Sequence, residues 1–186
     1  MPSILRSCPR SLELLRVFLR DDGPGGRLAL EMIHAAEVPQ PFHGLLVHER
    51  DMTSTLTEAH GEEISLVVLE QRTSETEVVR HVVLSGRESG RPLEYGASRI
   101  RLDALPASAL DDVLEGKKPL GGILNAEGTP YGSCPGGFLR VRPDEQIARA
   151  LGMNGRPRPE WLFGRCNCLT RGDGGTIAEV VEILPP

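Results

Sequence analysis

Residues 64–70 read ISLVVLE, residues 77–84 read EVVRHVVL and residues 93–102 read LEYGASRIRL. Valine and isoleucine crowd these runs, and the joints between them are polar. That pattern predicts consecutive antiparallel strands. The joint at 85–92, SGRESGRP, suits a longer hairpin turn. A second group is expected toward the end of the chain: 138–142, then 165–170 and 176–184 about the turn RGDGG at 171–175. Residues 28–38 fit strand and helix equally, since Leu28, Leu30 and Met32 recur at period two among alanines. Residues 117–122 and 125–137 are rich in glycine and read as loop.

Helices fall between the strand groups. One spans 11–20, with Ser11 as cap and Gly23 as stop, followed by a turn at 21–26. Others span 53–60 between Asp51 and Gly61, 106–115 before Gly116, and 143–151 opened by Pro143. Clustered strands with intervening helices predict an α+β fold with a mainly antiparallel sheet.

The 186 residues make one domain, 1–186, with 1–44 as N-terminal helix and lead-in and 45–186 as core. A hydrophobic share of 39% is enough to bury that core. Acidic residues outnumber basic ones 26 to 21, which argues against nucleic acid as a partner. No run approaches the roughly 18 apolar residues of a membrane span, and charges interrupt the first 23 residues, unlike a secretion signal. The expectation is a cytoplasmic protein whose four cysteines are reduced thiols. Cys134, Cys166 and Cys168 lack a second pair at zinc-type spacing, so no metal is expected. Self-association is not legible.

Arg80 shares a strand face with Val78, Val82 and Leu84. An arginine on an apolar face is costly unless an anion meets it, although the opposite face carrying His81 is an equal candidate for the core. Glu182 repeats the pattern beside Val180 and Leu184, while Glu179 shares the other face with Ile177 and Val181. Two segments offer main-chain donors: the helix opening at 51–53 and the loop at 119–122.

Several pieces now combine: Leu45-Leu46, Met52-Thr53 and Leu56, the run GEEISLVVLEQ, Val79-Arg80, GRPLEY at 90–95, Leu105-Pro106 and KPLG at 118–121. In this order and spacing, residues 45–124 resemble chorismate pyruvate-lyase and its uncharacterised relatives, and the closing EILP at 182–185 adds a weaker match. The resemblance implies a six-stranded antiparallel sheet with helical flaps over a buried pocket. It also implies a carbon–oxygen lyase that eliminates pyruvate from chorismate to leave 4-hydroxybenzoate, without cofactor. It places the ligand-holding arginine on Arg80, the carboxylate-binding amides on Met52 and Leu120, and the glutamate that meets the ring hydroxyl on Glu182, with Glu179 as the other register.

The family's basic run before the last hairpin is reduced here to Arg165 within GRCNC at 164–168. Arg165, Arg140 and Arg99 are the candidates to meet a second carboxylate. Two other readings stand beside the lyase. One is a different enzyme acting on another aromatic or cyclohexadienyl acid; the other is a non-enzymatic acid-binding domain like the effector domains of some transcription regulators. All three take a small-molecule carboxylate.

Overall fold

The runs at 64–70, 77–84 and 93–102 form one continuous meander, and the C-terminal runs form a second that joins it edge to edge. The computed structural model of the protein describes residues 13–15 and 29–186. In chain order the elements are β1 (Leu30–Ile33), α1 (Phe42–Leu46), α2 (Met52–His60), β2 (Ile64–Thr73), β3 (Glu77–Gly86) and β4 (Pro92–Arg101). They continue with α3 (Ala107–Glu115), α4 (Leu120–Ala126), β5 (Tyr131–Val141), α5 (Glu145–Ala150), β6 (Leu162–Arg171) and β7 (Thr176–Leu184). Of the helix expected at 11–20, residues 13–15 are helical; its remainder and the turn at 21–26 lie outside the described residues.

The fold is α+β, as expected, with one antiparallel sheet in the order β1-β5-β6-β7-β4-β3-β2. The described strands number seven rather than six. The extra one is β1, which settles the ambiguous 28–38 segment by pairing Leu30 with Val141 and Ile33 with Phe138. The lead-in therefore belongs to the sheet.

Two further expectations are corrected. Residues 131–137 are strand, not loop. Their glycines and Pro135 hide the pattern, and the register slips between Pro135 and Gly137, where a residue without an N–H can be accommodated. Leu120–Ala126 is a helix rather than an extension of the 117–122 loop. Its Gly121 is required by packing: a Cβ there would stand 2.7 Å from Asp51 Oδ1 and 3.1 Å from Thr53 Oγ1. The two helices thus meet closely at their N-terminal ends.

Local chemistry sets the other boundaries. Asp51 caps α2 by accepting from the Ser54 amide at 2.8 Å, and Gly61 closes it at φ 69°. Asp144 caps α5 in the same way, accepting from the Ile147 amide at 2.7 Å, so that helix starts after Pro143.

Both faces of the central strands are covered. Val83, Tyr95, Val181 and Ile183 pack on one side with Ile147 and Ala148 of α5 and with Leu14 and Leu15. On the other side Val78, Ile100 and Ile177 pack against Val113 of α3 and Ile123 and Leu124 of α4. A third apolar group gathers Leu46, Met52 and Leu56 over Ile64, Leu84 and Leu184. Between the second and third groups the helices part, and that gap holds the site.

Candidate functional site

The gap is a cavity with about 60 Å³ open to the centres of water molecules. One water needs only about 10–15 Å³ of such space, so the cavity has room for several water-sized groups. Its floor is the sheet face bearing Leu66, Arg80, Val82, Leu84, Glu94, Ser98, Val180 and Glu182. Its roof is the start of α2 at Asp51, Met52 and Thr53 and the start of α4 at Pro119, Leu120 and Gly121. Met52, Arg80, Leu120 and Glu182, which stand far apart in sequence, line this one space. Arg165 does not.

Arg80 stands at one end. It pairs with Ser98 across β3 and β4 and is 2% exposed. Among the described residues its guanidinium meets one acceptor, the Val113 carbonyl at 3.4 Å, and no carboxylate within ion-pair distance. Burial pushes its pKa down to about 10, so it remains a cation at neutral pH. A buried cation that faces a cavity, with no carboxylate among the described residues within ion-pair distance, can receive an anion there.

The other end is acidic but internally neutralised. Glu182 on β7 lies directly opposite Arg165 on β6, and the two form a buried ion pair through Arg165 Nε. Arg165 is fully enclosed. Its other donors reach the Leu46 carbonyl at 3.2 Å, the His48 carbonyl at 3.1 Å and the Arg50 carbonyl at 3.0 Å. It also lies 3.2 Å from His48 Nδ1. Burial first, and then the Arg165 charge, lower the His48 pKa. A neutral imidazole donating from Nε2 to the Leu45 carbonyl at 2.7 Å leaves Nδ1 to accept. Arg165 therefore clamps the 46–50 segment to the sheet, and its donors are occupied before any ligand arrives.

Beside this pair lies Glu94, which reading the sequence missed. It is 3% exposed, lines the cavity, and its Oε2 has no hydrogen-bond partner among the described residues. Burial, reinforced by the Glu182 charge and opposed by Arg165, raises its pKa well above the ordinary value of 4.5, which favours the protonated acid. The signal was present in the phase of β4: Glu94, Gly96 and Ser98 alternate along one face, the same face as their cross-strand partners Leu84, Val82 and Arg80.

The remaining candidates lie elsewhere. Arg99 pairs with Glu179 at 3.2 Å and Glu77 at 3.5 Å on the far side of the sheet, which also places Glu179 outside the cavity. Arg140 binds Glu31 and lies 4.5 Å over the Trp161 ring. Cys134 and Cys168 are cross-strand neighbours, and Cys134, Cys166 and Cys168 are free thiols. Among the described residues no group of three or more His, Cys, Asp or Glu could hold a metal, and no helix is long and apolar enough to cross a membrane.

No family model matches the sequence, and no curated protein does. Solved structures do. The effector domain of PhnF from Mycobacterium smegmatis matches with a TM-score of 0.52 and 13% identity, over 72% of this chain and 87% of that one. The fold is similar to that of an effector domain. The PhnF structure itself matches with a TM-score of 0.52 and 13% identity over 74% of this chain, which spans 64% of that protein's length. The ligand-binding domain of a putative GntR-family transcriptional regulator from Bordetella bronchiseptica matches with a TM-score of 0.47 and 15% identity, over 66% of this chain and 84% of that one.

These findings correct the reading of the chain as a lyase. The fold it shares is that of an effector domain, and the glutamate the lyase reading assigns to a substrate hydroxyl is held by Arg165. The exclusion of nucleic acid is withdrawn as well. It came from the charge of this chain alone, which spans less than two thirds of full-length PhnF.

Proposed function

We propose that this chain is a non-enzymatic ligand-binding domain whose cavity takes a small ring carboxylate. The observation that carries the reading is Arg80, a buried guanidinium facing the cavity with no carboxylate among the described residues to neutralise it. The ligand's carboxylate supplies the missing charge. The first amides of α2 and α4, at Met52 and Leu120, lack intrahelical acceptors and complete the oxyanion contacts. Val82, Leu84, Leu66 and Val180 supply the apolar walls for the ring. The similarity to an effector domain supports binding as the role. The chain acts as one domain whose sheet includes the lead-in strand β1, and the Arg165 clamp keeps the 46–50 segment in place beside the cavity.

Calorimetric titration with benzoate and 4-hydroxybenzoate tests this. The wild-type chain should bind at least one, and Arg80→Met should weaken binding by about 2–5 kcal/mol, the cost of leaving a buried charge unpaired. Equal binding by the variant, or no binding by the wild type, would overturn the reading.

A further inference from the structure

The cavity has two polar ends, and the proposed carboxylate contact uses one. Arg80 and Leu84 are four residues apart on β3, and Leu84 is the partner of Glu94. At about 3.3 Å per residue, Arg80 and Glu94 are rooted about 13 Å apart along the floor. Glu182 and Arg165 lie across the row between them, opposite Gly96.

The far end contains a polar atom, Glu94 Oε2, with no partner among the described residues. A fully buried carboxyl oxygen without a hydrogen bond is expensive, and such groups are rare unless something absent from the protein meets them. Charge decides what that something is. Glu182 from β7 is negative and bound to Arg165 from β6; His48, after α1, is neutral; Asp51, at the start of α2, is capping its helix; Arg80 is at the opposite end. No free cation stands near Glu94 among the described residues. A second ligand carboxylate there would face Glu182 with nothing to balance it, because Arg165 is already committed.

We infer that Glu94 is a specificity-determining residue that donates a hydrogen bond from its carboxylic acid to an uncharged acceptor oxygen on the ligand, at the end remote from the Arg80-bound carboxylate. The inference rests on the proposed role of Arg80. It narrows the ligand to monocarboxylates with a carbonyl, ether or hydroxyl oxygen at the far end, and it excludes dicarboxylates. It also gives the two glutamates different jobs. Glu182 fixes Arg165 and with it the 46–50 segment, and Glu94 reads the ligand.

The test uses two probes of matched shape, 4-formylbenzoate and 4-vinylbenzoate, titrated into wild type, Glu94→Gln and Glu94→Leu. Wild type should prefer the formyl compound about five- to tenfold, the worth of one neutral hydrogen bond. Glu94→Gln keeps a donor and should retain the preference; Glu94→Leu should lose it. Terephthalate should bind wild type more weakly than 4-formylbenzoate. An infrared difference spectrum of wild type against Glu94→Gln should show a protonated carboxyl band that shifts when 4-formylbenzoate binds. That readout does not depend on Glu94→Leu folding. Binding that depends on Arg80 but shows the same formyl preference in Glu94→Leu would overturn the role of Glu94 alone. So would the absence of the protonated band. Failure of both probes to bind wild type would overturn the Arg80 site and this inference together.

Discussion

The carboxyl of Glu94 lies over Gly96, where a Cβ would come within 2.6 Å of Glu94 Oε1. Gly96 in turn faces Glu182 on the neighbouring strand. A glycine inside a strand ordinarily weakens it, and here it makes room for a second acid beside the first. Gly96→Ala should force the Glu94 side chain to move and also press to 3.3 Å on the Val181 carbonyl. The expected cost is about 1–3 kcal/mol by urea denaturation, with the Glu94 infrared band displaced.

Arg80 should weigh against stability. Its burial in the empty domain is offset by one carbonyl contact, so Arg80→Met should leave the thermal midpoint unchanged or raise it while binding is lost. A large fall in the midpoint would show that the guanidinium is structurally paired.

The Arg165–Glu182 pair should behave in the opposite way. Glu182→Gln strands a fully enclosed guanidinium and should destabilise the fold by about 3–5 kcal/mol. Amide exchange across 46–50 should accelerate, because Arg165 tethers the carbonyls of Leu46, His48 and Arg50.

Two buried groups tilt the pH profile of stability in opposite directions. His81 packs edge-on against Tyr95 at 4.5 Å, and burial lowers its pKa from 6.5 to about 4. Between those values the unfolded chain holds the extra proton, so stability falls as the solution is acidified. Glu94 is raised, so the folded chain holds the extra proton above the ordinary value of 4.5, and stability falls as pH increases. The two slopes, each at most about 1.4 kcal/mol per pH unit, oppose each other between the unfolded values of 4.5 and 6.5. Denaturation of His81→Phe should show a decline beginning near the lower limit. Glu94→Gln should show a rise up to the upper one. Wild type should be flatter than either over that interval.

Reading residues in order recovered most of the sheet because β-branched runs betray strands wherever they occur. It failed where glycine and proline carried structural roles: Gly121 at a helix contact and Pro135 at a register slip look like loop in one dimension. Arg80 stood out because a charge among valines is conspicuous, but period two could not say which face was inward. The structure shows why: helices cover the Arg80 side, and α5 with Leu14 and Leu15 cover the other, so neither face is solvated. Glu94 was passed over because one glutamate in a polar hairpin looks ordinary until its strand partners are known. The commitment of Arg165 was invisible for another reason. Its acceptors other than Glu182 include main-chain oxygens about 115 to 119 positions away, and carbonyls carry no residue identity.

The open sheet leaves β2 as a margin, ten residues of backbone with a neighbour on one side only, and Val67 and Leu69 face outward from it. Such a border can recruit strands from other molecules and seed aggregates. This one is spoiled as a template. The ladder skips Leu69 between Val68 and Glu70, and an ion pair of Glu70 with Arg72 follows the step. An incoming strand would have to match a kinked outline and displace a charge pair.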